Sequence, residues 1–176
     1  MSELSWHERL RQIHTRAVEK FRAGVRGAEK LFTVEETEFL NSIGHTAQEF
    51  YDFCEDAINY GEPDFCTALL IATVRREYFL VVQKGKWEKP LPTATLPSKE
   101  AAVEGIVWLP RLIEKARRKL RGQMDKDLMY GCAGDRRFFR EHDIHPADFL
   151  RVVWAAGDND AKIIQFVKSG GDLKIL

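Results

Sequence analysis

No apolar run in this chain approaches the roughly 20 residues that a membrane-crossing helix needs. The longest, residues 65–74, is interrupted by Thr67 and Thr73 and closed by Arg75 and Arg76. No N-terminal apolar core leads to a small-residue cleavage site, so a secretory leader is not expected. Cysteine is scarce. Cys54, Cys66 and Cys132 form an odd set without paired spacing, which argues against a disulfide framework and for reduced thiols in a cytoplasm. Nothing follows the Cys-x-x-Cys or His-Glu-x-x-His spacing of a metal site, His142 and His145 included, and no cofactor is expected. Net charge is lacking too: 27 Lys and Arg balance 27 Asp and Glu, which makes a dedicated nucleic-acid binder a poor reading.

What is present is helix signal. In 176 residues with 44% hydrophobic content there is enough apolar surface for a proper core. The clearest element is residues 109–121. Pro110 suits the first helical turn, Leu109, Leu112, Ile113, Ala116 and Leu120 make one apolar stripe, and Gly122 provides a left-handed stop. Residues 2–23 carry an imperfect stripe of Leu4, Trp6, Leu10, Ile13, Ala17 and Phe21. Residues 33–43 read as a short helix with an acidic first turn. Thr46 and Glu49 form a capping box for a helix running to Gly61, and Asp64 opens a buried one. Residues 78–82 read as helix continuation for want of a partner strand. Residues 98–107 also read as helical. Asp135 is expected to cap a helix ending near Glu141, Pro146 to start one reaching Ala156, and Asp158 to cap the last.

These signals predict an all-α, compact protein of about seven to nine helices. Residues 1–30 are read as an N-terminal helical arm, 31–84 as a first helical half and 85–97 as a Pro-rich connector. Residues 98–169 are read as a second helical half and 170–176 as a tail, all in one packed globular unit. A shift of 99 positions sets Phe39-Leu40 against Phe138-Phe139, Glu49-Phe50 against Asp148-Phe149, and Thr46 against His145. The shift raises the expectation of two similar helix–turn–helix units packed together.

The run Trp108-Leu-Pro-Arg-Leu-Ile-x-Lys-Ala-Arg, followed by Tyr130-Gly-Cys-x-x-Asp-Arg-Arg-Phe138, resembles the bacterial family catalogued as domain of unknown function 5069. Ile144, Phe149, Val152 and the Gly157-Asp158 turn fit the same pattern. The resemblance covers about residues 100–168, and residues 39–82 resemble the upstream part of longer members. It implies a soluble bacterial helical protein and carries over no activity and no catalytic residue.

Candidate chemistry concentrates in that run. Arg111 and Arg136 follow helix starts, where the backbone N–H groups already create positive potential, so each invites an anion. With Lys115, Tyr130, Cys132 and Asp135 they form the candidate ligand-binding set; the competing reading pairs the arginines with Glu114, Asp127 or the acids of residues 49–56. Cys132 beside a helix start and arginines is a candidate nucleophile, against a plain buried thiol. Charge is segregated: residues 35–64 hold nine acids and no Lys or Arg, whereas residues 108–140 hold ten Lys and Arg against four acids. The leading functional expectation is a non-catalytic binding or interaction module with an anion-accepting basic patch, its partner an anionic small molecule or a protein. The alternative is a small cytoplasmic enzyme acting on an anionic metabolite through Cys132 and Asp135. Nucleic-acid binding through the basic helix, with Lys115, Arg118 and Arg121, comes third.

Overall fold

The computed structural model describes residues 5–175. Leu4, placed in the first apolar stripe, and Leu176 in the tail lie outside the described residues. The chain forms two compact units, the first ending at Gly85 and the second beginning at Lys86. The fold is mostly α, as the periodicities require, and among the described residues no helix is long and apolar enough to cross a membrane.

In the first unit, α1 (Trp6–Arg22) starts at a capping box between Ser5 and Glu8 and buries Leu10, Ile13, Ala17 and Phe21. That stripe packs on α4, so the segment read as an arm is part of the first unit's core. A short α2 (Ala28–Leu31) follows. Then come α3 (Val34–Ser42) and α4 (Ala47–Tyr60), opened by Thr33–Glu36 and Thr46–Glu49 capping boxes. Gly44 has φ 81°, and a Cβ there would lie 2.8 Å from the Phe79 side chain. Glycine is therefore needed for the close approach as well as the turn. Helix α5 (Phe65–Glu77) is capped by Asp64 and continues as a π-helical turn, Tyr78–Val82.

In the second unit, the Pro-rich connector runs extended apart from a 3₁₀ turn, Thr93–Thr95. It is clasped from behind by Arg118, which donates to the carbonyl of Pro92 (3.0 Å) and to Thr95 Oγ1 (2.9 Å). Asp125 accepts from the Thr93 N–H and hydroxyl, both at 3.1 Å. Residues 98–107, expected as helix, instead hold a hairpin of β1 (Ala102–Val103) and β2 (Ile106–Val107). Its two turn residues, Glu104 and Gly105, have φ 48° and 80°, and positive φ at both central positions is what a tight hairpin turn demands. Helix α6 (Leu109–Arg121) has all five stripe residues buried and stops at left-handed Gly122. It packs on α8 (Pro146–Ala156), which packs on α9 (Asp160–Lys168). Between them in sequence lies α7 (Ala133–Glu141). Two caps move: Cys132, not Asp135, is the N-cap of α7, and Asn159, not Asp158, caps α9 through Lys162 N–H.

The 99-residue shift survives in the backbone. Helix α3 maps onto α7 end for end, the start of α4 falls on that of α8, and α1 and α6 end together. The turns match as well. Ile43 (φ −104°, ψ 13°) corresponds to His142 (φ −107°, ψ 6°). The bond from His45 N–H to the Leu40 carbonyl recurs from Ile144 to Phe139, each 2.9 Å. Each unit thus repeats one plan, a long helix laid on a helix–turn–helix.

The first unit carries its own pH dependence. Burial pushes Asp52 up to about 7; the Gln48 amide opposes this, and Glu55, Glu49 and Asp56 add to it. The folded chain then holds a proton that the unfolded chain releases near 4, so this contribution to stability is full below about pH 4 and is lost progressively as pH rises from there through about 7. His14 runs oppositely: burial, helped by Arg11, lowers it to about 4, so its contribution is present above 6.5 and lost as pH falls toward 4. Asp52→Asn should melt at the same temperature as the native chain at about pH 4 and below, gain on it progressively as pH rises toward 7, and keep that lead above pH 7. The expected gain there is on the order of 1 kcal/mol, read from thermal melts across that range.

Candidate functional site

Helix α6 brings Lys115 to the first turn of α7, and there it meets Asp135. The side chains are 2% and 0% exposed, and Lys115 Nζ lies 2.5 Å from Asp135 Oδ2. Two more donors complete the carboxylate: the Gly131 N–H reaches Oδ2 at 2.9 Å and the Trp108 indole Nε1–H reaches Oδ1 at 2.9 Å. Lys115 Nζ also donates to Cys132 Sγ at 3.3 Å. Both carboxylate oxygens are therefore committed, and the ammonium is shared between a carboxylate and a thiol.

The backbone explains how these groups meet. Leaving the hairpin, Trp108 adopts φ 75°, an unusual conformation for a bulky residue. Its amide donates to the Ala101 carbonyl at 3.0 Å. The turn lays the indole against α7 at Gly134, where a Cβ would sit 2.5 Å from the ring. Gly134 admits the ring, and Asp135, the next residue, receives its N–H.

Of the six residues singled out from sequence, Lys115, Cys132 and Asp135 are brought into contact. Tyr130 is buried beside them. Its hydroxyl donates to the Pro146 carbonyl at 2.7 Å, and burial, with the Asp135 charge adding, pushes it well above the usual tyrosine range. The two arginines engage main chain instead. Arg111 donates to the Pro97 carbonyl at 2.7 Å with its guanidinium 6.0 Å from the Trp108 ring centre, and Arg136 donates to the Gly131 carbonyl at 2.8 Å.

Above Gly134 the surface opens into a groove of about 630 Å³. Hairpin residues and Trp108 form one side and Gly134, Arg137, Phe138, Glu141 and His142 the other, with Lys99 and Glu100 at the end. None of the six sequence candidates lines it. No side chain caps the first turn of α7, and Gly134 is the residue of that turn that lines the groove. Sequence reasoning missed Trp108 and Gly134 as a pair because their contact depends on a positive φ that no local pattern announces. The Lys115–Asp135 pair did leave a trace. Shifted by 99 positions it becomes Arg16 and Glu36, which are also ion-paired.

With this geometry in hand, comparison with known proteins adds one match: residues 93–174 fit the family model described as Domain of unknown function (DUF5069). That segment belongs to this family. No curated protein and no solved structure matches the chain. The DUF5069 segment holds the whole cluster, from Lys99 and Trp108 to His142, together with α8 and α9.

Taking away one member of a buried ion pair leaves the other charge stranded. Asp135→Asn should destabilise the protein by about 3–5 kcal/mol, measured by urea unfolding. Combining it with Lys115→Met should recover most of that loss, because no charge then stays buried alone.

Proposed function

We propose that the DUF5069 segment is a non-catalytic binding module that takes a small anionic molecule in the groove over Gly134. One observation carries this reading: the uncapped start of α7 opens beneath a tryptophan that is locked in place from behind. Uncapped backbone N–H groups and the helix dipole attract negative charge. Lys99 and Arg137 on the rim supply cations beside Glu100 and Glu141, the latter 3.9 Å from Arg137, while Trp108 and exposed Val107 offer a face for an apolar body. Asp135 and Lys115 do not line the groove, which suits a scaffold better than a centre that moves protons on a groove-bound ligand, since a general base must reach its proton directly or through one water. Lys115 and Arg118 are buried and engaged within the second unit, which weakens a nucleic-acid reading of the basic helix. The ligand this surface fits is a phosphate or carboxylate attached to a flat apolar group.

Amide and indole chemical shifts, followed while phenyl phosphate or inorganic phosphate is added, test the proposal. Phenyl phosphate should move the Gly134 amide and Trp108 indole signals saturably and several-fold more tightly than inorganic phosphate. Lys99→Ala and Arg137→Ala should each weaken it several-fold, and Gly134→Ala, which displaces the ring, should abolish it. Shifts that never saturate, or that persist unchanged in Gly134→Ala, would remove the groove from consideration.

A further inference from the structure

The contact between Lys115 and Cys132 has chemistry that ligand binding does not use. The ammonium nitrogen is 3.3 Å from Sγ and 2.5 Å from Asp135 Oδ2. Lysine and carboxylate are buried, while Cys132 at the start of α7 is partly open to solvent. An oxidant can reach the sulfur, but the nitrogen beside it is screened from water. A proton acceptor for that nitrogen is already in place. The other two thiols have no such neighbour among the described contacts: Cys54 is buried, its thiol pushed up to about 12 by burial, and Cys66 is exposed. The first unit supplies an internal comparison. At the positions shifted by 99, Thr33 and Arg16 replace Cys132 and Lys115 around the same kind of ion pair. The repeated plan therefore requires neither a thiol nor an amine at this point.

We infer that Cys132 and Lys115 form a reversible nitrogen–sulfur cross-link when the protein meets hydrogen peroxide. In the first step the Cys132 sulfur attacks one peroxide oxygen, the O–O bond breaks, and sulfenic acid and one water result. Asp135 then takes a proton from the Lys115 ammonium. The freed nitrogen lone pair attacks the sulfenic sulfur, the S–N bond forms and the S–O bond breaks. The departing oxygen leaves as water with a second nitrogen proton. Sulfur is oxidised, peroxide is reduced, and Asp135 ends as a neutral acid, so the buried pair loses both charges together. A sulfenic acid condensing with a nearby nitrogen is established cysteine chemistry; here the nitrogen comes from a side chain fixed beside it. A dithiol reductant attacks the sulfur, breaks the S–N bond and releases the amine, which regains its proton from Asp135; the reductant's second thiol then breaks the mixed disulfide, freeing the Cys132 thiol and leaving the oxidised dithiol.

The test treats the native full-length chain with hydrogen peroxide, blocks remaining thiols, and maps the peptides by mass spectrometry. The expected product joins the Lys115 and Cys132 peptides, is two hydrogens lighter than their sum, and disappears on treatment with dithiothreitol. It should be absent from Cys132→Ser and from Lys115→Arg, which keeps the charge but offers no amine. Cys66 reports that peroxide was sufficient. Oxidised Cys66 beside an unmodified Cys132, a Cys132 product that retains oxygen while Lys115 stays unlinked, or a disulfide to another cysteine would each overturn the inference. The measurement on the native chain stands even if a variant folds poorly.

Discussion

A lysine ammonium and an aspartate carboxylate leave water at a cost of several kcal/mol each, and only close mutual contact with full hydrogen bonding offsets it. Lys115 and Asp135 satisfy that condition, and the surrounding structure follows from it. To saturate Asp135, the chain must deliver the Gly131 N–H and the Trp108 indole to the same two oxygens. Delivering the indole requires Trp108 to leave the hairpin with a positive φ and requires a residue without a side chain at 134. The same lock fixes the wall of the groove. A buried ion pair adds little net stability; here the hydrogen bonds that saturate it hold a tryptophan against the first turn of α7.

The repeated plan separates what the fold needs from what this site adds. In the first unit the corresponding pair is Arg16–Glu36, with the arginine side chain 57% exposed. A threonine caps the following helix through the Glu36 N–H. That version has a satisfied helix end and a solvated cation, which is all a helix–turn–helix laid on a long helix demands. In the second unit the threonine position is Cys132, the helix start is uncapped, the cation is enclosed, and Trp108 and Gly134 replace Arg9 and Glu35. The departures cluster around one spot. None is explained by the shared backbone, which is why this spot is the one to interrogate for ligand and oxidant.

Much of the fold was readable because its signals are local. Pro110, Pro146, Gly122, the Thr46–Glu49 box and the 109–120 stripe place α4, α6 and α8 to within a residue. The hairpin at residues 102–107 was not readable. Ala-Ala-Val-Glu suits a helix, and the turn depends on Glu104 accepting a left-handed conformation beside Gly105. From sequence Asp135 reads as a cap, because an acid is favoured both at the N-cap and within the first turn. Only the three-dimensional contacts with Lys115, Trp108 and Gly131 show which role it has. The basic segment misled in a similar way. Counted as charge, its arginines suggest an anion patch, yet Arg111, Arg118 and Arg136 donate to carbonyl oxygens of Pro97, Pro92 and Gly131. Charge can be counted along a sequence, whereas hydrogen-bond partners distant in the chain cannot.

The bond from Trp108 to Asp135 holds the groove wall in place, and hydrogen exchange of the Trp108 indole N–H, resolved by nuclear magnetic resonance, measures it most directly. A half-buried indole whose N–H is held by a saturated, buried carboxylate should exchange far more slowly than an exposed indole. That protection should fall sharply in a Lys115→Met, Asp135→Leu double variant, which offers the indole no acceptor, while the backbone amides of α6 and α8 stay protected. An indole N–H that exchanges as fast in the native chain as in that variant would contradict the lock, and with it the reading of the groove built upon it.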